Sequence, residues 1–397
     1  MTHLGENTIV WKIDMSNHKI NEKYLCISCS SSELEMLEGY SSLPRVTSDC
    51  KPDKIGGEMG VCHFCGLAQK IFNAKLLQHI NDIYDNYEMY DLDQDDQIIF
   101  GNGADVTRTQ IIVQCINDKF NLPKFGKLLE IGASKGAFLK NFGKEHSEWS
   151  LYSKEYDAKY AGMLEKIPNF KKNYTKLEQI KENTYDLVVA IHTLEHLHEP
   201  REYIQECIRN LSKGSPIFIQ VPNIDNSIFD LLVSDHIAHF TDESLKIFLN
   251  SFGIKSDVFS ITEKELSGIM LNDVVGRTLS KRGGGVNVIK EKINQIIKMK
   301  TKLEMICEKS NIAVYGTTIA ANWIRAVVGD RIFCFIDDDK MKIGKTLGDR
   351  PIYAIADIPN SSKLVLPFNH QVNNKIIQKN AIMFDNKKIE IIELQDI

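Results

Sequence analysis

The chain has 397 residues, a length that fits two or three domains. With 43% hydrophobic and 25% charged residues it has the composition of a globular protein with more than one core. Its net charge of −5 excludes an electrostatic pull toward nucleic acid or an anionic membrane, so neither is expected as a partner.

Residues Met1 to Ile20 are polar and mixed, without the basic and apolar regions of a signal peptide. No run reaches the ~18 uninterrupted apolar residues of a membrane span. Nine cysteines, four of them in two matched pairs, fit a reducing cytoplasm better than a disulfide scaffold.

The pairs are Cys26-x-x-Cys29 and Cys62-x-x-Cys65, the second followed by Gly66. Thiolates three positions apart can grip one ion from a tight turn. Two such turns supply the tetrahedral four-thiolate set of a structural Zn²⁺. Residues 20–72 therefore read as a small zinc-binding domain of short strands and turns, stabilised by the metal because its core is small. Cys50 lies near enough in sequence to stand in for one ligand. Leu76 to Asp96 is polar and tyrosine-rich and reads as a connector or lid, and Val106 to Phe120 as a helix.

Strand and helix signals then alternate, the mark of a parallel α/β sheet. Strands are expected at Lys127–Ile131, Trp149–Lys154, Tyr185–Ala190 and Pro216–Gln220, with helices at Lys135–His146, Arg201–Leu211 and Glu243–Asn250. The runs Lys255–Thr262 and Leu266–Val274 read as an antiparallel hairpin at the sheet edge. The glycine-rich stretch 280–285 marks a boundary. Beyond it, a helix over Asn287–Lys309 and strands at Ile312–Tyr315 and Ile332–Ile336 describe a second, smaller Rossmann-like domain. The expected division is 20–72, 73–280 and 281–397.

Leu128 to Gly136 is a strand, a small-residue loop and a helix start. Gly132 and Gly136 let the backbone approach a ligand, and the first N–H groups of the helix can cradle polar atoms. The pattern Glu130, Gly132, Ala133, Ser134, Gly136 is not the Gly-x-Gly-x-x-Gly of dinucleotide enzymes. It resembles motif I of class I S-adenosylmethionine methyltransferases, where the loop passes under the amino-acid part of the cofactor. Glu155, at the end of the next strand, is placed to take both ribose hydroxyls. The stretch from Asp186 to Pro200 resembles the segment after the fourth strand of such enzymes, with His192 near the cofactor and His196 at the open end of the sheet.

The whole chain resembles the sugar C-methyltransferases, which methylate nucleotide-linked keto-deoxysugars. The likeness rests on the two cysteine knuckles, Pro44, Gly66-Leu67-Ala68-Gln69, the methyltransferase-like centre and the Rossmann-like C-terminal part. It implies an α/β fold of three parts: a zinc domain, a class I methyltransferase sheet and a C-terminal domain that assists with substrate. It also implies chemistry. A ketone acidifies the proton on the neighbouring carbon, a base removes it, and the enolate attacks the sulfonium methyl. Histidine suits the base, because its pKa lies near neutrality. The family's Glu-His pair falls on Asp235 and His236, and His239 stands near a position often aromatic in the family. The family's tyrosines three residues apart fall among Tyr84, Tyr87 and Tyr90, where a phenol can hydrogen-bond the enolate oxygen. Asn223 and Gly316 are expected against the substrate. The family's lysine in the first loop of the C-terminal domain is absent from Thr317 to Ala320.

Two other readings stand beside this one. The shortened carboxylate at Asp235 and the missing lysine favour methyl transfer to oxygen on a sugar or small molecule. A zinc-stabilised binding protein with a degenerate cofactor fold is the third, against which Glu130, Gly132, Gly136 and Glu155 speak.

Overall fold

The computed structural model describes residues 24–87, 96, 98–99, 106–275 and 285–395. The chain forms two compact units, each built from three separate stretches. The first is Met1–Glu35, Gly60–Asp225 and Ile237–Val286, and the second is Met36–Met59, Asn226–His236 and Asn287–Ile397. The knuckle cysteines lie in the first unit, and residues 36–59 between them belong to the second.

The first unit is organised by a seven-stranded sheet. Its strands in chain order are β1 (Lys127–Ile131), β2 (Ser150–Lys154), β3 (Phe170–Tyr174), β4 (Leu187–Ile191), β5 (Pro216–Pro222), β6 (Ile254–Phe259) and β7 (Glu265–Val275). Across the sheet they run β3-β2-β1-β4-β5-β7-β6. The first five are parallel. Strand β7 is antiparallel to both β5 and β6. The expected hairpin is therefore present, and its second strand rather than its first joins the parallel part. β3 was not expected. Its sequence, Phe-Lys-Lys-Asn-Tyr, is a charged edge strand, and lysines that deter further pairing also hide the strand signal.

Central strands are largely apolar because both faces are covered. Alternate residues go to opposite cores. Leu128, Leu187, Val189 and Ile191 pack with Ile112, Phe138, Phe142 and Trp149 on one side. Leu129, Val188 and Ala190 pack with Ile204, Leu245 and Phe248 on the other. That second core also contains Cys26, Cys62, Cys65 and Leu67, so the knuckles are built into the core of the sheet.

The stretch read as a connector begins as a helix, Ala74–Asp85, whose first turn is capped by the Asn73 side chain accepting from the Leu76 N–H. Leu76, Ile80 and Ile83 form its buried stripe. Three apolar residues among polar ones are a weak periodic signal, and packing on Ile237 completes it.

The second unit holds a six-stranded sheet. Its strands are β8 (Ile312–Tyr315), β9 (Ile332–Ile336), β10 (Thr346–Leu347), β11 (Arg350–Tyr353), β12 (Lys363–Leu366) and β13 (Glu390–Glu393), in the order β10-β11-β9-β8-β12-β13. All pairings are parallel except β10 with β11. The chain leaves β8 toward β9 and returns to β12 on its other side, which places a topological switch point beside the loop after β8. Within this unit Asn226–His236 is clamped to residues 36–59. The Tyr40 hydroxyl donates to the Leu231 carbonyl at 2.9 Å. The Ser234 N–H donates to the Val46 carbonyl at 2.7 Å. Among the described residues, no helix is long and apolar enough to cross a membrane.

Candidate active site

In the first unit, functional side chains gather at the carboxyl ends of β1, β2, β4 and β5, where ligands bind in sheets of this kind. After β1 the chain turns sharply, with positive φ at Gly132, Ser134 and Gly136. Gly132 is needed for a second reason. A Cβ there would stand 2.3 Å from Thr193 Oγ1. That hydroxyl is fixed by donating to the carbonyls of Ile131 and Ile191. Gly136 is similarly confined, with a Cβ falling 2.5 Å from Ile167 Cδ1. The buried Ala133 completes the loop.

Glu130 lies under this loop and is almost wholly buried. The Leu139 backbone N–H serves its carboxylate, while Oε2 has no hydrogen-bond partner among the described residues. Burial, reinforced by the charge of Glu155, pushes its pKa well above the usual carboxylate range. Glu155 reaches across the loop: Oε2 accepts from the Ser134 N–H at 2.7 Å and Oε1 from the Asp157 N–H at 3.0 Å. Each carboxylate oxygen has a second lone pair, so capacity for a diol remains.

After β4, His192 adopts a left-handed φ of 47°. Its Nδ1 is 3.2 Å from Glu195 and its Nε2 is 3.2 Å from Glu265. Arg108 stands 3.6 Å from Glu265 on the far side. Burial and Arg108 act to lower the His192 pKa, but the two carboxylates outweigh them and the net shift is upward. Burial likewise works against the Glu265 anion, yet the bond to His192 prevails and its pKa is lowered to about 2. His192 thus bridges two carboxylates that favour its protonated form, bracing the end of β4 against the start of β7.

His196 pairs through Nδ1 with the Tyr84 hydroxyl at 3.0 Å. Tyr87 stacks on Tyr84 with ring centroids 5.6 Å apart. Tyr90 lies outside the described residues. The Asn223 side-chain Oδ1 accepts from the Asp225 N–H, closing the turn after β5. His239 is fully buried, on a short strand where Ala238 and His239 pair with Gln69 and Ala68. Its Nε2 lies 3.3 Å from the ammonium of Lys70, which is itself 1% exposed. Sequence reasoning passed over Lys70, although it directly follows the Gly66-to-Gln69 run.

The four knuckle sulfurs lie within 4.8 Å of one another. Cys26 to Cys65 and Cys29 to Cys62 are each 3.5 Å. Thiolates about 2.3 Å from one tetrahedral ion would be separated by nearly this much. Gln69 braces the first turn, accepting from the Ile27 N–H and donating to the Leu25 carbonyl. Cys50 belongs to the second unit and is outside the cluster.

In the second unit His236 is held by Asp230, with Nδ1 to Oδ1 at 2.7 Å and both side chains buried. The neighbouring Asp235 does something else. One of its oxygens accepts from the Ser48 N–H at 2.8 Å and the other from the Ser48 hydroxyl. Gly316, after β8, has φ of 90°, and a Cβ there would meet Phe368 at 3.3 Å. Thr317 Oγ1 is bonded to Asp337 at the end of β9. Lys342 Nζ is 3.1 Å from Thr317 Oγ1 and 3.6 Å from Asp337 Oδ2.

Residues 110–255, which span β1 to β5, match the family model described as a methyltransferase domain. They form a class I methyltransferase domain. The protein is accordingly an enzyme of the S-adenosylmethionine-dependent methyltransferase class. No curated protein matches the chain. Among solved structures, the plantazolicin methyltransferase BpumL in complex with SAH is 15% identical over 42% of this chain and 82% of its own, with a TM-score of 0.36. An O-methyltransferase family protein from Burkholderia thailandensis is 12% identical over 42% of this chain and 56% of its own, at 0.35. The CurJ carbon methyltransferase is 14% identical over 42% and 54%, also at 0.35. These likenesses are slight, and the fold is read from the sheet order and the family match.

The His192 bridge has a pH signature. A histidine pKa raised above 6.5 contributes stability below that value and loses it as pH rises through the folded pKa. The Glu265 pKa, lowered from 4.5 to about 2, contributes above 4.5 and loses that only in strong acid. Glu265→Gln is therefore expected to destabilise the protein by about 2 kcal/mol near pH 6, and by less near pH 9, in urea unfolding. An equal loss at both pH values would rule out the charged bridge.

Proposed function

We propose that the protein is a C-methyltransferase acting on a nucleotide-linked keto-deoxysugar. The observation that carries this reading is the buried Asp230–His236 pair, a histidine held by a carboxylate as a general base must be. His236 would take the proton from the carbon beside the ketone, and the electron pair would move onto the carbonyl oxygen as an enolate. Within the first unit the Tyr84 hydroxyl, paired with His196, has the chemistry to donate a hydrogen bond to an oxyanion. When bound, S-adenosylmethionine would supply an electrophilic methyl group for the nucleophilic carbon, with its sulfur as the leaving group.

The residues at the loop after β1 fit that cofactor. Glu130 keeps a buried carboxylate oxygen without a partner among the described residues, and Gly132 keeps the loop backbone bare where a side chain would strike Thr193. Gly132, Ala133, Ser134 and Gly136 would cradle its amino-acid end, Glu130 would lie beneath, and Glu155 would take the ribose hydroxyls. His192 would act by holding the end of β4 rather than by touching the cofactor. In the second unit Gly316 permits close backbone approach, and Lys342 puts a cation on the loop from which the family's lysine is missing. That favours a phosphate-bearing acceptor. His239 and Asn223 would shape the acceptor side of the first unit. The four cysteines would hold a structural Zn²⁺ that takes no part in the chemical step.

Three measurements test these assignments. Isotope-labelled methyl transfer to nucleotide 4-keto sugars should give a product whose methyl carbon resonates as C–CH₃. An O–CH₃ signal would establish oxygen methylation instead. In the same assay His236→Ala should lower kcat by about 10²–10⁴-fold with cofactor Kd unchanged, and an unchanged rate removes His236 as base. Gly132→Val, driven against Thr193, should weaken cofactor binding by at least about 100-fold by calorimetry, a loss of about 3 kcal/mol; wild-type affinity would mean the loop serves another purpose. For the metal, elemental analysis should find one zinc per chain, and its removal by a strong chelator should lower Tm. A zinc-free protein that melts like the native one would refute the structural role.

A further inference from the structure

The proposed base needs one particular tautomer, and the second unit contains a device for setting it. We infer that Asp230 is the positioning residue for His236, fixing the proton on Nδ1 and making Nε2 the nitrogen that receives the substrate proton. The inference rests on the reading of His236 as base. It adds a residue that neither the sequence pattern nor the Glu-His pairing of the resembling family points to, because Asp230 lies six positions away across a turn.

The geometry is specific. Asp230 Oδ1 is 2.7 Å from His236 Nδ1, and the two residues are 6% and 7% exposed. An ionised carboxylate only accepts hydrogen bonds, so Nδ1 must carry a proton in this contact. The same negative charge stabilises the imidazolium formed when Nε2 takes up a second proton. A buried carboxylate acts this way when it orients a catalytic histidine. Asp235, adjacent in sequence, is turned to Ser48 instead, which it meets through both oxygens.

The turn that carries Asp230 is held from several sides within its own unit. It spans Ile228–Leu232, all of whose residues are buried. The Asp230 N–H donates to the Ser227 carbonyl and its carbonyl accepts from the Val233 N–H, so the backbone around the carboxylate is closed. Tyr40, itself fully buried, ties down Leu231. The Phe229 ring packs on Trp323 with centroids 5.3 Å apart, and the Trp323 indole N–H donates to the Pro44 carbonyl at 3.1 Å. On the other side of the histidine, Ser234 is bonded to both Val46 and Asp53. Asp230 and His236 are therefore presented by one braced segment. A catalytic pair needs this kind of support, because small displacements of an oriented group cost large factors in rate.

Asp230→Asn separates orientation from packing. The amide is nearly the same size, but it can donate to Nδ1 and so favours the tautomer with the proton on Nε2, which cannot act as base. Imidazole ¹⁵N spectroscopy of His236, assigned with His236→Gln, should show protonated Nδ1 in the unliganded wild-type protein and protonated Nε2 in Asp230→Asn. With the nucleotide 4-keto sugar that the wild type methylates, Asp230→Asn should lower kcat by about 10³–10⁴-fold. Its cofactor Kd should not change, and Asp230→Glu should recover at least about ten-fold of the lost rate. A structural role alone would move neither the tautomer nor kcat selectively. Protonated Nε2 in the wild type overturns the proposal. So does an Asp230→Asn enzyme of normal kcat when His236→Ala is inactive, a result that leaves the base itself standing. If both variants keep full kcat, the reading of His236 as base falls and the positioning role falls with it.

Discussion

The first unit depends on the burial of its cysteine knuckles in the same apolar core as the sheet. Cys26, Cys62, Cys65 and Leu67 pack with residues of β4, β5 and the helix Asp242–Asn250. Four thiols brought within 4.8 Å of each other inside such a core are poor packing material unless an ion organises them. The strand that leaves the second knuckle, Ala68–Lys70, pairs with Ala238–His239, and the Ile237 N–H donates to the Glu195 carbonyl. The knuckles therefore set the course of the chain after β5 and bury Lys70 against His239.

A second constraint is electrostatic. Glu130 and Glu155 face the same loop, and Glu195 and Glu265 flank His192. Four carboxylates near the ends of neighbouring strands would repel one another in a medium of low polarity. The protein answers in three ways. Glu130 is driven toward its neutral form. Glu155 is served by the backbone N–H groups of Ser134 and Asp157. Glu195 and Glu265 share one imidazole ring, that of His192. The positive φ at His192 fits this account, because the strained turn puts both ring nitrogens within reach of carboxylates from the short helix after β4 and from β7.

Much of the fold was legible because its signals are local. β8 and β9 begin and end where continuous apolar runs do, and such runs mark strands covered on both faces. β3 was hidden by lysines that suit an edge, and the helix Ala74–Asp85 by an apolar stripe of only three residues. Which strand of the final hairpin joins β5 is a matter of pairing between segments far apart in the chain, and no local pattern encodes it.

By itself the sequence determined the knuckle spacing, the loop after β1 with its acidic residue, the α/β alternation and the histidines and tyrosines with the chemistry for the task. These depend on residue type and spacing, which translate directly into turns, periodicity and ligand geometry. Only the tertiary structure decided partners. It paired His236 with Asp230 instead of the adjacent Asp235, closed His192 between Glu195 and Glu265, set Lys70 against His239, and brought Lys342 to the loop at Thr317. A hydrogen bond requires about 3 Å and a favourable angle, and which acidic or basic group meets that condition is fixed by how distant segments pack.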